Sequence, residues 1–277
     1  MKLMAVITDT IRESLAKKLF LGFTALSLLT ILVLAFALKI DVVEGALGLA
    51  TIFGQSTGET LFDLERFVIT AEAAMASLLF AGGIFISLFA TASLFPSMQE
   101  KGTIDLLLSK PISRTKIIVA KFLGNLAIVV FNVFFLIFGV WLVLSVKTGI
   151  WNIGFLYSGL TITISYAVLL TILAFIGILA QSTGLSIMIT FLVAYAISPL
   201  LFLLQEPRVL RFFTHKSSRL LIRALYYIIP KTTELGNLTR LLVEGKQVTN
   251  WMPLWSSLLF GVFLFGATIY LFYRKDY

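Results

Sequence analysis

Few residues of this 277-residue chain could carry out chemistry. The sequence has no cysteine, which excludes disulfides, thiolate catalysis and cysteine-based metal sites. The single histidine, His215, has no obvious metal-binding partner, and its position in a basic amphipathic stretch favours a surface residue. The sequence contains neither the phosphate-binding G-x-x-x-x-G-K-[ST] motif nor the H-E-x-x-H motif of metalloproteases. We therefore expect no catalytic residue, metal site or cofactor site in this chain.

The most distinctive polar segment is Glu100–Gly124, EKGTIDLLLSKPISRTKIIVAKFLG, which lies between two apolar stretches. Gly102 followed by Thr103 can end one helix and start another, because a threonine hydroxyl can accept a hydrogen bond from a free amide of the first turn. Asp105 would lie in that first turn, where the positive end of the helix dipole favours a carboxylate. The sequence therefore predicts a short helix that begins near Thr103.

This short helix would have one apolar face, because Ile104, Leu107 and Leu108 recur at positions i, i+3 and i+4. Pro111 ends it, since the residue before a proline disfavours the helical conformation. Ser113 can cap the next helix. A rigid helical elbow of this kind on a membrane surface would give another protein a place to push.

The segment resembles the cytoplasmic loop of the ABC type-2 transporter permeases. A Glu, then Gly-Thr-Ile, Leu-Leu-Ser, Pro, Ser-Arg and Lys-Phe-Leu-Gly follow one another as in the multi-copper enzyme maturation branch, which includes the NosY-like proteins. In that family the loop forms a coupling helix that docks on an ATPase subunit. The resemblance implies that ten residues couple this chain to an ATPase: Glu100, Gly102, Thr103, Asp105, Leu107, Leu108, Lys110, Pro111, Ser113 and Arg114.

The resemblance also implies how the complex is assembled. The chain would be the permease subunit of an ABC transporter, working as a homodimer or a close heterodimer with two cytoplasmic ATPase subunits. ATP and Mg²⁺ would bind to the ATPases and not to this chain. An external accessory protein is a possible further partner. The plain alternative is an ordinary basic cytoplasmic loop that contains an amphipathic helix.

Composition places the chain among membrane proteins. It is 59% hydrophobic and 13% charged, with a mean hydropathy of +1.00, whereas a soluble domain has about 25% charged residues. The net charge of +8 could suggest nucleic acid. In a membrane protein it is better explained by lysines and arginines near anionic lipid.

The hydrophobic pattern predicts an all-α polytopic membrane protein that forms one permease domain over residues 1–277. It would have an N-terminal interfacial helix at 1–18, a cytoplasmic coupling loop at 100–121 and external amphipathic helices within a loop at 206–246. Twenty apolar residues span about 30 Å, the thickness of a bilayer core. The six transmembrane helices are predicted at 19–38, 73–99, 122–146, 155–180, 185–204 and 252–273. The segment between the first two is predicted as an external loop with a short interfacial helix.

Polar residues within or beside the spans are few. Asn125 and Asn132 are seven residues apart and so share one helix face, where they could form interhelical hydrogen bonds or contact a substrate. Glu72 is the acid nearest to a span, at an edge from which it could reach the interface. The polar cluster Gln181–Gly184 is the expected break between the fourth and fifth spans, and Pro199 should kink the fifth.

An even number of spans puts both termini on one side of the membrane. The N-terminal segment, the coupling loop and the C-terminal tail hold eleven of the 22 lysines and arginines, which predicts a cell-membrane protein with both termini in the cytoplasm. The loop at 206–246 conflicts with this rule because it would place eight cations outside. An odd number of spans therefore stays open.

The same loop carries a basic stripe at helical spacing, Arg208, Arg211, Arg219 and Arg223. The loop between the first two spans is acidic instead. We hypothesise that the stripe covers the segment Glu59–Glu65 as an external lid; the alternative is that it binds lipid phosphates. Further along, Ile229–Leu235 resembles, more loosely, the external re-entrant region of the family.

Two rival functions remain. The complex could be a mechanotransmitter that moves an external partner and exports nothing. A membrane-embedded enzyme is disfavoured, as is a proton-driven carrier, because intramembrane Asp, Glu and His are nearly absent. The sequence does not indicate a substrate.

Overall fold

Long apolar helices make up most of the protein. The computed structural model describes residues 2–16, 18–36, 38–43, 47–52, 55–56, 62–104, 112–210 and 216–275. Within these ranges, five helical spans are long and apolar enough to cross a membrane: Leu64–Ser97, Arg114–Thr148, Ile153–Ala180, Thr183–Leu204 and Met252–Arg274. A sixth is present if the two N-terminal helices, bent by 70° from one another, form one span. The predicted class, a helical polytopic membrane protein, is confirmed.

The elements follow one another along the chain as helices with one small strand region. They are α1 (Lys2–Ala16), α2 (Lys18–Phe36), β1 (Leu38–Val43), β2 (Leu47–Ile52), β3 (Gln55–Ser56), β4 (Phe62–Asp63), α3 (Leu64–Leu78), the π-helical segment π1 (Leu79–Gly83), α4 (Ile84–Thr91), α5 (Leu94–Ser97), α6 (Arg114–Thr148), α7 (Ile153–Ala180), α8 (Thr183–Phe191), the π-helical segment π2 (Leu192–Ile197), α9 (Ser198–Leu204), α10 (Pro207–Leu210), α11 (Lys216–Ile228), α12 (Thr232–Val243) and α13 (Met252–Arg274).

The segment after α2 forms a sheet, so the prediction of a short interfacial helix there is wrong. Strand β1 pairs with β2 in antiparallel register, from Leu38 opposite Ile52 to Val43 opposite Leu47, and β2 also pairs with β3 and β4. The sequence of β1, LKIDVV, gives the physical reason: charged residues such as Lys39 alternate with apolar and β-branched residues. Such a period of two suits a strand better than a helix.

The helix that contains the second span begins at Leu64 and not near residue 73. A capping residue lets the helix start within this polar segment. The Asp63 carboxylate accepts hydrogen bonds from the amides of Glu65 (3.1 Å) and Arg66 (3.3 Å). These bonds satisfy amides that have no partner inside the helix. The polar residues assigned to a loop by hydropathy are thus the first turns of α3.

Helix α7 lies at the centre of the bundle. It packs against α6, α8, α12 and α13, and 72% of its most apolar window is buried, against 22–56% for the other four spans. Tyr166 is fully buried in α7 and donates a hydrogen bond to the Thr91 hydroxyl (3.3 Å). The outer helices instead expose large apolar side chains, such as Phe263 in α13, of which 78% is exposed. This distribution suits a bundle whose outer faces contact lipid.

The two ends of the bundle have different contents. At the end that we call the terminal end, α1 packs along the first turns of α6, and Lys275 lies beside Arg114. At the opposite end, Lys147 donates to the Ala35 carbonyl (2.7 Å), close to where the sheet begins. Helix α12 also reaches this end, because Asn152 donates to the Val243 carbonyl (2.9 Å). The sheet and the α11–α12 hairpin therefore share one end, and helix α1 and Lys275, the two ends of the described chain, lie at the other.

Candidate coupling site

A polar cluster joins several helix ends at the terminal end. The Gln99 side-chain amide donates to the Gly177 carbonyl (3.0 Å) and to the Phe95 carbonyl (3.3 Å). The Lys275 ammonium donates to Gln99 Oε1 (3.0 Å) and to the Ile178 carbonyl (2.5 Å). The last carbonyls of α7 have no partner within the helix, and a cation there also complements the negative end of the helix dipole. Gln99 and Lys275 therefore act as a shared cap of α7.

Arg114 and Gln181 complete this group, which we call the terminal cluster: Gln99, Arg114, Gln181 and Lys275. The Arg114 guanidinium donates to the carbonyls of Lys275 (2.6 Å) and Tyr273 (3.2 Å), at the C-terminal end of α13. The Gln181 amide donates to Gln99 Oε1 at 3.5 Å. Partial burial lowers the pKa of Lys275 below its usual 10.5. The cluster connects the base of the predicted coupling segment to α7 and α13.

The structure describes only part of that segment. The Glu100 carbonyl accepts hydrogen bonds from the amides of Thr103 and Ile104, both at 3.1 Å. Gly102 has a φ of +87°, a conformation that suits glycine, and lies in the turn before Thr103. Ile104 is buried, with 4% exposed, so at least one residue of the predicted apolar face packs inward. Five predicted coupling residues lie outside the described residues: Asp105, Leu107, Leu108, Lys110 and Pro111.

Ser113 occupies the predicted N-cap position of α6, but its side chain forms no capping hydrogen bond. Its carbonyl accepts from the Ile117 amide (3.2 Å). Arg114, the first residue of α6, is half-buried against the end of α13. The start of α6 is thus held by a tertiary contact.

The described helices and this cluster are consistent with a transporter permease. Comparison with known protein families identifies the family. Residues 4–277 match the family model for ABC-2 family transporter proteins. The chain belongs to the ABC-2 transporter family. It is therefore the membrane permease subunit of an ABC transporter; the permeases of this family are generally non-catalytic, and the family implies an ATPase partner. Among curated proteins, no match to the permease was found.

The basic stripe of the permease lies on the hairpin side of the opposite end. Arg208, Arg219 and Arg223 are exposed, and Arg211 lies outside the described residues. Helix α11 packs against α9 and α13. On its outer surface Leu220 is 70% exposed beside the arginines. A helix that exposes both apolar and basic residues is typical of a membrane interface.

The predicted lid is not supported by the described residues. Asp63 and Glu65 line a groove with Arg240 and Lys246, and neither of these cations belongs to the stripe. Glu59, the remaining member of the proposed acidic surface, lies outside the described residues. The lid hypothesis placed the stripe over the acidic segment, whereas among the described residues α12 packs on α3.

The sequence suggested that Glu72 could reach the membrane interface. In the structure it lies inside the bundle instead. It is fully buried, and Asn152 donates a hydrogen bond to its Oε2 (2.7 Å). Asn152 also donates to the Val243 carbonyl and accepts from the Gly154 amide (3.0 Å). Among the described residues, no hydrogen-bond partner is found for Glu72 Oε1. These contacts join α3 to the start of α7 and the end of α12.

Asn125 and Asn132 form interhelical hydrogen bonds, which confirms the structural one of their two predicted roles. The Ser14 hydroxyl donates to Asn125 Oδ1 (3.2 Å), and the Thr24 hydroxyl donates to Asn132 Oδ1 (2.5 Å). Lys121 in α6 also pairs with Glu13 in α1. Helix α6 therefore holds both N-terminal helices through polar contacts.

A buried lysine marks the turn between α11 and α12. Lys231 is 3% exposed; its ammonium donates to the Ser256 hydroxyl (2.9 Å) and lies 4.6 Å from the centre of the Tyr226 ring. Burial is the main influence on its pKa, which is lowered, and the nearby Glu234 carboxylate opposes this shift. The Lys231 amide donates to the Ser257 hydroxyl (3.0 Å). The turn is thus fixed to α13.

Three of these residues were missed as functional candidates from the sequence: Gln99, Gln181 and Lys275. Each lies at or just beyond the end of an apolar span, which is the signal that was available. A polar residue at a span end is common, however, and only the fold shows that these three meet.

Proposed function

We propose that the permease converts ATP hydrolysis by a separate ATPase into movement of its helices, and thereby moves a substrate across the membrane. The ATPase would contact the segment Glu100–Arg114. ATP and Mg²⁺ would bind to the ATPase alone. Two permease copies would assemble with two ATPase subunits in the cell membrane, with both termini in the cytoplasm.

The terminal cluster is the observation that supports this proposal. Arg114 lies at one end of the segment and Gln99 just before the other, and Lys275 contacts both residues. A hydrogen bond to a charged group contributes about 1.5–3 kcal/mol. A push on the segment would therefore move the ends of α5, α6, α7 and α13 together, because these contacts resist separation.

The geometry of the bundle supports transmission to the far side. Helix α7 runs from the terminal cluster to Asn152, which contacts Glu72 and Val243 at the opposite end. Movement of α7 would therefore also displace α3 and α12. These helices border a groove that is open at that end.

Co-purification with the ATPase tests the proposal. Leu107→Asp and Leu108→Asp place a charge on the predicted apolar face of the coupling helix, so we expect at least about a tenfold loss of co-expressed ATPase on affinity-purified permease. Ser109→Asp adds the same charge off that face and is the matched control. The amount of permease in the membrane fraction should be unchanged in all three.

Normal ATPase recovery with both leucine variants would contradict the proposal. An equal loss with Ser109→Asp would show that added charge, and not the apolar face, disturbs the contact.

Mechanotransmission is the second candidate, favoured by the exposed surface of α11. Leu220, Leu221 and Ile228 are each at least 60% exposed on this helix. A soluble external protein that co-purifies with the permease and is lost on Leu221→Asp would favour this function. Transport of a substrate into sealed vesicles without such a protein would favour export.

A further inference from the structure

A groove with two adjoining parts lies at the opposite end of the permease. Its outer part has a volume of about 720 Å³ and lies between α3 and the end of α12. Its inner part has a volume of about 330 Å³ and lies between π1, π2 and α12. Ser77 and Arg240 line both parts, so the two adjoin at these residues.

Two π-helical segments form the walls of the inner part. π1 contributes Phe80 and Ala81, and π2 contributes Ala194 and Tyr195. The Tyr195 hydroxyl donates to the Ala81 carbonyl, and the Thr232 hydroxyl donates to the Ala194 carbonyl, both at 2.7 Å. π-helical turns are rare and occur frequently at functional sites. Two of them line the same inner part, which indicates that this part of the groove has a use.

The outer part is charged but balanced. It is lined by three acids and three cations: Asp63, Glu65, Glu244, Arg66, Arg240 and Lys246. Arg240 Nε and Lys246 Nζ donate to the two oxygens of Glu244, at 2.6 Å and 2.5 Å. These bonds hold the pKa of Glu244 below 4.5. The side chains of Arg240 and Lys246 remain 66% and 63% exposed, so both can still bind a further anion.

The inner part is mostly apolar. Phe80, Ile84 and Leu169 line it, and Thr233 and Asn237 add a few polar atoms. Gly236 lies so close to Phe80 that an added Cβ would come within 3.2 Å of the ring. The cavity therefore changes from charged to apolar along its length, which suits a ligand with one polar and one apolar end.

We propose that this groove binds one zwitterionic amphiphile of the phosphatidylcholine type. The phosphate would pair with Arg66 and Arg240, the ammonium group would face Glu65, and the apolar part would lie between the two π-helical segments. Equal numbers of acids and cations favour a zwitterion over an amphiphile with net charge, because a net charge would leave one set of groups repelled. This inference goes beyond the proposed function and does not depend on it.

Native mass spectrometry of the purified, delipidated permease without its ATPase tests the proposal. We expect dioleoyl-phosphatidylcholine to bind with one copy per chain and at least tenfold more tightly than dioleoyl-phosphatidylglycerol. Glycerophosphocholine, which has the headgroup but no acyl chain, should bind at least tenfold more weakly than the phosphatidylcholine. Equal binding of the two lipids, or of the lipid and the chain-free headgroup, would overturn the proposal.

Ser77→Trp places a large side chain at the junction of the two parts and should reduce phosphatidylcholine binding at least tenfold. Leu78→Trp is the matched control: it lies on the same helix, is 68% exposed and does not line the groove. Melting temperatures of both variants report on folding. Unchanged binding by a folded Ser77→Trp, or an equal loss with Leu78→Trp, would show that lipid binds only nonspecifically to the apolar surface. Either result would overturn the proposal that the groove binds the lipid.

Discussion

Arg114 and Lys275 show how single residues can hold helix ends together. Each donates to carbonyl groups at the C-terminal end of a helix, and these carbonyls have no partner within the helix. Lys275 also shares the Gln99 side chain, which is 9% exposed. Removing one cation would leave carbonyl acceptors at a helix end without their charged donor, and hydrogen bonds to charged groups contribute more than neutral ones.

Arg114→Ala should lower the free energy of unfolding by about 1.5–3 kcal/mol, because the carbonyls of Tyr273 and Lys275 lose a charged donor. Lys116→Ala, exposed near the start of the same helix, should change it by less than about 0.5 kcal/mol. Thermal unfolding in detergent measures both. Equal stability of the two variants would mean that Arg114 does not hold the end of α13.

Lys231 should make stability depend on pH in the alkaline range. Its folded-state pKa is lowered from 10.5 by burial, so the folded protein releases this proton at a lower pH than the unfolded chain does. The charged lysine therefore disfavours folding below the lowered pKa, and this cost disappears as the pH rises towards 10.5. Wild-type permease should gain melting temperature relative to Lys231→Met as the pH rises towards 10.5.

The matched variant is Lys216→Met, which removes an exposed lysine from α11. Wild-type and Lys216→Met melting temperatures should stay parallel over the same pH range. If the Lys231→Met difference is also constant with pH, the buried ammonium does not titrate in this range and the argument fails.

The helices show which part of the fold a sequence can predict. Hydropathy located the apolar spans because one span needs about 20 apolar residues, whatever its neighbours. It missed the start of α3, since Asp63 caps a polar first turn, and it missed the sheet, because β1 and β2 are only six residues long each. The terminal cluster could not be predicted at all: Gln99 and Lys275 are 176 residues apart in sequence, and only the packing of α7 brings them together.

Helix α1 depends on close packing against α6. A Cβ on Gly124 would lie 2.8 Å from Thr10 Cβ and 3.2 Å from the Ile7 carbonyl, so Gly124→Leu must push α1 away. We expect a loss of about 1–3 kcal/mol in the free energy of unfolding. Gly22→Leu in α2 meets no atom within 4 Å of its Cβ and should be neutral. A neutral Gly124→Leu would show that α1 is not held in this position.

The whole molecule has two chemically different ends, and their separation bears on topology. The termini lie at one end, and the sheet lies at the other with the α11–α12 hairpin. The described cations of 206–246 thus lie opposite the described ends of the chain, in spite of the rule that favours basic residues in the cytoplasm. Late loops have less influence on orientation than the first helix, and exposed arginines beside Leu220 can bind lipid phosphates from either side.

Labelling of single introduced cysteines tests this arrangement. Because the sequence has no native cysteine, only the introduced residue can react. Ser56→Cys and Ser217→Cys should react with an impermeant thiol reagent added to intact cells. Ser109→Cys should react only after the membrane is permeabilised. Labelling of Ser217→Cys that requires permeabilisation would place the basic loop in the cytoplasm, on the side of the termini, and would show that the predicted arrangement of five spans before the loop and one after it is wrong.

Gln181 has a consequence for efforts to engineer the permease. Among the described non-glycine residues it is the one with a positive φ, 51°, a conformation that costs about 1–2 kcal/mol and that glycine would relieve. Gln181→Gly is therefore the kind of replacement that a screen for thermostability selects. It would also delete the amide that contacts Gln99. A more heat-resistant permease obtained in this way would transmit movement less well, so thermostability alone is a misleading guide to improvement at this turn.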